Sequence, residues 1–350
     1  MKAIIKLHFT APLHIANSRT DYAQSESYLH SDTLYSAIMQ TWSVLSHTAW
    51  IPQKESETLD FTLSSAFPFT SELDVKGQNT DQTVYFFPRI AKPFNFQGID
   101  DDDLQDSRKK IKKIQWLDSF KFKQQLTDKK GCLLETNNLK GKYLTAQMID
   151  PHFIDSTINA HAAISRSGGD AEPYVMERLQ FKKGSGFYFI FDGTAEALNQ
   201  VQLALNLMQY DGIGSDRNTG NGRFRCETNS EENHLVLTML QAVENQVNDK
   251  KYATNLSLLL PENEDYLAKV LPDNDTNCAF ELIRRGGWVT SLEHLARQKN
   301  SVFLFKEGGV FHYRESISGG TINLQPDIMK AEKTHPIWRV GKSLWLPCTF

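Results

Sequence analysis

Residues 184–227 read GSGFYFIFDGTAEALNQVQLALNLMQYDGIGSDRNTGNGRFRCE, and this stretch decides the fold. Gly184-Ser185-Gly186 is a turn signal, and Phe187-Tyr188-Phe189-Ile190-Phe191 behind it has the aromatic, β-branched composition of a strand. The period then changes. Leu198, Val201, Leu205 and Met208 lie three or four apart and form one helical stripe. Gly212 suits the C-terminal cap, where positive φ is common. A glycine-rich loop follows, then a short strand near Arg223 to Glu227.

Upstream the same order occurs. Ala3, Ile5, Leu7 and Phe9 alternate with Lys2, Lys6 and His8, which predicts a half-buried strand. Ser31 and Asp32 are candidate N-caps for a helix carrying Leu34, Ile38, Trp42 and Leu45. Phe61 to Phe67 predicts a second strand. Strand, helix, strand, strand, helix, strand is the split βαβ order, so residues 1–228 are expected to form one ferredoxin-like (RRM-like) unit. Over a hundred residues separate its second and third strands, too many for a plain loop, and about 69–180 are read as an insertion. From His234 onward, strand-like runs (Leu256 to Leu260, Val302 to Phe305, Ser343 to Leu346) surround a helical candidate at Pro261 to Leu271. The expected architecture is α+β, with a second domain over 229–350.

Composition excludes several classes. With 350 residues there is chain enough for two cores, and a net charge of -4 argues against coating nucleic acid by bulk charge. Any RNA site must be a local basic surface. Four cysteines, Cys132, Cys226, Cys278 and Cys348, have no C-x-x-C spacing, so neither a disulfide framework nor a zinc site is expected. The absence of a long apolar run and of a signal-like N-terminus predicts a cytoplasmic protein with no membrane contact. The acidic run Asp100 to Asp103 lacks the spaced partners of a magnesium site, and no G-x-S-x-G elbow occurs. Neither a cofactor nor catalysis is expected.

Four segments remain as candidate binding sites. In the loop 212–222, Gly212, Gly214, Gly220 and Gly222 would let backbone amides approach an anion, and Ser215, Asp216, Arg217, Asn218, Thr219, Asn221 and Arg223 surround them. It is neither a Walker A loop nor a dinucleotide fingerprint: no Gly-Lys-Ser/Thr follows, and the loop succeeds a helix. A Gly/Asn turn is the alternative. The second segment is His14 to Arg19, with Asn17 and Ser18, together with His30 and Ser31 at a helix start. The third is 159–181, two extended runs flanking Ser167-Gly168-Gly169-Asp170 with Arg166 near the tip, a hairpin or finger signal. The fourth is Arg284-Arg285-Gly286-Gly287-Trp288. Arg108 to Lys130 adds nine basic residues against Asp118 and Asp128, Lys112 and Lys113 among them.

At these residues the chain resembles a known family, the RAMP-superfamily fourth subunit of the type III-A CRISPR effector, the Csm complex. The resemblance runs almost end to end. It rests on Pro12-Leu13-His14-Ile15, His30-Ser31-Asp32-Thr33-Leu34, Ser65-Ala66-Phe67-Pro68, Tyr85-Phe86-Phe87-Pro88, Lys109 to Ile114, Ile164-Ser165-Arg166 and the glycine loop. Asn255 to Leu260, Leu282 to Trp288 and His335-Pro336 complete it. It implies two ferredoxin-like domains and a thumb hairpin that interrupts guide and target pairing. It also implies a non-catalytic, RNA-binding role in antiviral defence: holding the crRNA 5′ handle, meeting target RNA through the complex, and joining the large polymerase-like subunit to the backbone subunit. The competing expectation is a crRNA-processing endoribonuclease of the same superfamily using His14 or His30.

Overall fold

The structure, a computed structural model, describes residues 1–16, 23–55, 57, 59–96, 108–163, 171–229, 231, 234–273, 275–289, 297–313, 319–332 and 334–350. It is a mixed α+β protein built on one large sheet. The strands of the N-terminal half are β1 (Lys2–Phe9), β2 (Phe61–Leu63), β3 (Phe67–Leu73), β4 (Asn79–Pro88), β5 (Trp116–Asp118), β6 (Leu139–Lys140), β7 (Tyr143–Leu144), β8 (Ile154–Ala163), β9 (Glu172–Phe181), β10 (Gly186–Gly193) and β11 (Phe224–Asn229). Besides a helical stretch at 108–113, the helices are α1 (Ser31–Val44), α2 (Ser119–Thr127), α3 (Ala195–Asp211), α4 (Leu235–Gln246), α5 (Glu264–Val270) and α6 (Asp327–Ala331).

The sheet order is β11-β1-β10-β3-β4-β5-β7-β6, with β2 also on β10. β1 lies between β10 (Ile4 opposite Ile190) and β11 (Leu7 opposite Cys226), both antiparallel. The expected second strand is broken at Ser64 to Ala66. There Ser64 Oγ accepts from Ile190 N at 2.8 Å, while the amides of Ser65 and Ala66 turn to Leu256 O and Leu29 O. The strand resumes through Leu73, beyond the insertion boundary at about 69, and β4, β5, β7 and β6 of the inserted segment extend the same sheet. β8 and β9 stand apart as a two-stranded ribbon, with Ile154 opposite Phe181 and Ala163 opposite Glu172. The turn expected at 167–170 lies outside the described residues.

Helices cover both faces. On one, α1 packs against α3, burying Leu34, Ile38, Trp42, Val201, Leu205 and Met208. On the other, α4 packs on β1 and α2, so Ile4 is buried and β1 departs from the half-buried alternation expected of it. The helix at Leu235–Gln246 was not foreseen from the sequence. Its apolar residues Val236, Leu237, Met239, Leu240 and Val243 are dense enough to hide the helical period.

The C-terminal half holds β12 (Tyr252–Asn255), β13 (Leu282–Arg285), β14 (Trp288–Val289), β15 (Arg297–Gln298), β16 (Val302–Phe305), β17 (Val310–His312), β18 (Thr321–Asn323), β19 (Trp338–Val340) and β20 (Trp345–Cys348). β12 is central to a sheet ordered β17-β12-β20, and the others form pairs β13-β16, β14-β15 and β18-β19. The strand expected at Leu256 to Leu260 is a buried connector, because its amides go to scattered partners: Leu344 O, Ser31 Oγ, Phe305 O and Gly341 O. The helix expected from Pro261 starts at Glu264, where Asn263 Oδ1 accepts from Tyr266 N at 2.8 Å. One apolar cluster runs from Ala3 to Cys348, and a smaller one of Leu259, Tyr266, Val270, Phe305 and Phe311 belongs to the C-terminal half alone.

The two halves also meet through buried charge. Ser31 and Asp32 do not cap α1: the N-cap is His30, without a side-chain cap bond. Asp32 is fully buried and accepts from Arg285 Nε at 2.8 Å and Nη2 at 3.1 Å, and from Arg339 Nη1 at 2.7 Å. Burial alone would raise its carboxyl, but Arg285 and Arg339 hold it well below the usual carboxylate range. Nearby, buried Glu307 accepts from His30 Nδ1 at 2.9 Å, Tyr28 OH at 3.0 Å and Ser65 Oγ. Removing one member of such a set leaves buried charge uncompensated. Asp32→Ala should therefore lower stability by roughly 3 to 5 kcal/mol in a urea melt, and Asp32→Leu with Arg285→Met and Arg339→Met should regain most of it.

Candidate nucleic-acid interface

The glycine loop joins α3 to β11, and its conformation is dictated by close backbone packing. Gly212, Gly214, Gly220 and Gly222 have φ of 83°, 92°, 90° and 71°. A Cβ on Gly222 would sit 1.9 Å from Ile213 O, and one on Gly214 would sit 2.4 Å from His14 O. At Gly220 a Cβ would meet nothing nearer than Arg223 Cζ at 3.9 Å. The amides are largely committed inward: Gly212 N donates to Met208 O, Ile213 N to Gly222 O, Ser215 N to His14 O, Gly220 N to Arg217 O and Gly222 N to Pro12 O. The expected cradle of glycine amides is thus corrected at Gly212, Gly220 and Gly222. Their N–H groups hold the loop to itself and to residues 12–14, and the loop faces outward with side chains.

Asp216 is the loop's internal post, in the left-handed region at φ 58°. It accepts from Arg178 Nη2 at 2.8 Å and Asn221 Nδ2 at 2.9 Å, tying the loop to β9 at the ribbon's base. Arg217 Nη1 donates to Asp211 Oδ2 at 2.6 Å and is partly exposed. Asn218, Thr219 and Arg223 are exposed, while Ser215 is half-buried. Segment 12–16 runs between loop and ribbon: Leu13 and Leu179 exchange backbone hydrogen bonds at 3.0 and 2.7 Å, and His14 Nδ1 lies 2.7 Å from Glu177 O. His14 is buried and holds backbone in place.

The loop opens onto a groove of about 930 Å³ between the two halves. One wall is the outward side of α1, with Thr33, Ala37 and Gln40; another is Ile15, Ala16 and the loop residues Gly214, Ser215 and Arg217. The C-terminal half closes it with Trp288, Lys299, His335, Pro336 and Trp338. Trp288 is 46% exposed, an aromatic surface beside a basic loop. The Asp32 pair stands directly behind, since Arg285 Nη2 donates to Thr33 Oγ1 and Arg339 Nη2 to Gly286 O. Burial, with the Arg339 guanidinium beside it, pushes the Lys299 ammonium down to about 8.

Several sequence-derived candidates thus converge on the groove: Gly212, Gly214, Ser215 and Arg217 of the glycine loop, Ile15 and Ala16 of the second segment, and Trp288 of the fourth. Others do not. His30, Ser31 and Arg285 are buried and hydrogen-bonded to Glu307, Leu258 N and Asp32, so their expected RNA contacts are corrected to a role inside the chain. Arg284 is exposed, its Nε 3.0 Å from Ser301 Oγ. Lys112 and Lys113 are exposed in the inserted segment and are not groove residues. Asn17, Ser18, Arg19 and Arg166 lie outside the described residues. Lys299 was missed by sequence reading, because a single lysine in Arg297-Gln298-Lys299-Asn300 carries no pattern and only tertiary packing sets it opposite the loop.

Comparison with known proteins follows the same lines. Residues 248–348 match the family described as CRISPR Csm4 C-terminal domain. A curated relative, the "CRISPR system Cms protein Csm4" of Thermococcus onnurineus (strain NA1), is 21% identical over 290 residues, 80% of each chain. Among solved structures, the Csm3-Csm4 subcomplex of the type III-A CRISPR-Cas interference complex aligns at TM-score 0.56 and 17% identity over 100% of both chains. The Csm1-Csm4 cassette in complex with cA4 aligns at TM-score 0.54 and 15% identity, over 100% of this chain and 99% of the other. These structures bear out the α+β fold. The C-terminal part of the chain thus matches the Csm4 C-terminal domain family, and the chain is similar to a Csm4 protein across four-fifths of its length.

Proposed function

We propose that this chain is the crRNA-holding subunit of a type III-A CRISPR (Csm) interference complex, working in the cytoplasm, and that it anchors the 5′ handle in the groove beside the glycine loop. One observation carries the reading: Arg217 of the glycine loop, the exposed Trp288 and Lys299, which has no ion pair among the described residues, line one groove between the two halves. Cations on a rigid backbone frame suit phosphates, and an exposed aromatic suits an unstacked base. The strand order β11-β1-β10-β3 supports the ferredoxin-like reading of the N-terminal half, and β12 with its neighbours supports a second unit over 229–350. Since the related structures are Csm3-Csm4 and Csm1-Csm4 assemblies, the partners we assign are the backbone subunit and the large subunit. The chain is proposed to act without catalysis. The runner-up, an endoribonuclease using His14 or His30, is disfavoured by the burial of both rings.

RNA with a 5′ handle should bind the purified full-length chain and remain uncleaved with or without magnesium. Arg217→Ala should cost roughly 1.5 to 3 kcal/mol of affinity. Gly222→Ala should lose far more than Gly220→Ala, because only the former drives a Cβ into Ile213 O. Filter binding over a salt series measures all three. Equal affinities for the wild type, the Arg217 variant and the Gly222 variant would overturn the groove assignment.

The ribbon makes a second test. Ile158 and Val175 are 66% and 43% exposed on strands that form a two-stranded sheet of their own, so the ribbon is proposed to be the thumb crossing the guide-target duplex. Replacing 158–175 by a short turn should leave the thermal melt and handle affinity close to wild type and change base accessibility beside the handle in the assembled complex. Identical chemical probing with and without the ribbon would sink it.

A further inference from the structure

Lys299 lies in the groove with no ion pair or side-chain hydrogen bond among the described residues. Its backbone N–H donates to Gly287 O at 2.9 Å, which fixes the residue beside Trp288. The charged groups around it are unbalanced. Arg339 from β19 and Arg285 from β13 face it, their common anion Asp32 on α1 is already shared between them, and Arg217 and His335 line the same groove. A half-buried cation among cations, without an anion of its own among the described residues, is an arrangement that a bound anion would complete.

We propose that Lys299 and Arg217, reaching the groove from the two halves of the chain, form a subsite for one phosphate of a single-stranded RNA. This rests on the groove being the RNA site, and adds to it a residue and a form of regulation. Arg217 enters the subsite already held by Asp211, so it can contribute only the N–H groups that Asp211 does not take. Lys299 gives up no ion pair among the described residues. Trp288, fixed to the same backbone, would offer its ring to the base next to that phosphate.

The regulation follows from charge. In the free chain the Lys299 ammonium is pushed down to about 8 by burial and Arg339. A phosphate beside it favours the charged form, so RNA binding takes up a proton once the free lysine has begun to lose its own. Affinity is then flat below about pH 8 and falls as pH rises above it, until the lysine in the complex also titrates.

The test is amine-reactive labelling of Lys299 in the full-length chain, read by peptide mass spectrometry, alone, with handle-bearing RNA and with a short single-stranded RNA of unrelated sequence. Binding of both RNAs by the wild type, Lys299→Gln and Lys299→Arg is measured across salt and pH, with thermal melts as the control for folding. Labelling of Lys299 should fall several-fold with RNA. Lys299→Gln should bind about ten-fold more weakly, with a log-log salt slope shallower by about 0.7. Lys299→Arg should bind well and lose the fall above about pH 8, because a guanidinium stays charged. If both RNAs protect Lys299 equally and bind alike, the phosphate subsite stands and the handle reading fails. Unchanged labelling with either RNA, or an unchanged salt slope in Lys299→Gln, overturns the subsite.

Discussion

The position of one buried carboxylate governs much of this molecule. Asp32, on the first turn of α1, holds Arg285 of β13 and Arg339 of β19, and these two strands carry the C-terminal wall of the groove. Burying an ion triad is costly unless each partner is met, and here each is met from a different part of the chain. The consequence is geometric: α1 and the segments around Trp288 and Trp338 cannot slide past one another without exposing or orphaning charge. A groove made of two halves then behaves as if cut from one body.

The glycine loop shows the same economy at smaller scale. Its positive φ angles permit the approach of Gly222 to Ile213 and of Gly214 to His14, and its inward amides leave a compact post on which Arg217, Asn218 and Arg223 stand. A backbone held this way is a good basis for phosphate recognition, since a preorganised loop loses little entropy when an anion binds. Asp216 couples this post to β9 through Arg178, so the loop and the ribbon share a base. Any force on the ribbon from a duplex would be felt at the groove.

The N-terminal half was legible where period and punctuation agree. The strand at 186–193, the stripe on α3 and the cap at Gly212 stand where Phe187 to Phe191, Leu198 to Met208 and a lone glycine put them. What failed was local reading of residues whose role is tertiary. Ser31 and Asp32 look like helix caps because their side chains suit that job, yet one receives Leu258 N and the other two guanidiniums from over 250 residues away. Leu256 to Leu260 looks like a strand because all its residues but Ser257 are leucine, and its amides find partners in several places instead of one ladder. α4 was hidden by the same density of apolar residues, the mark of an element buried on more than one side.

The site divides in the same way. Arginines and glycines clustered in sequence announced the loop, while Arg285, within a cluster equally suggestive, is turned inward by Asp32. Charge in a sequence gives no direction, and burial does. Arg284 and Arg285 are adjacent on an extended strand, where successive side chains point to opposite faces, so at most one of the pair could serve a surface. Strand alternation therefore decides that Arg284 is left for solvent and partners and Arg285 for the interior. Lys299 inverts the case: silent in the sequence, it becomes informative only because the Asp32 carboxylate is already shared by Arg285 and Arg339, which leaves the groove's lysine without an ion pair among the described residues.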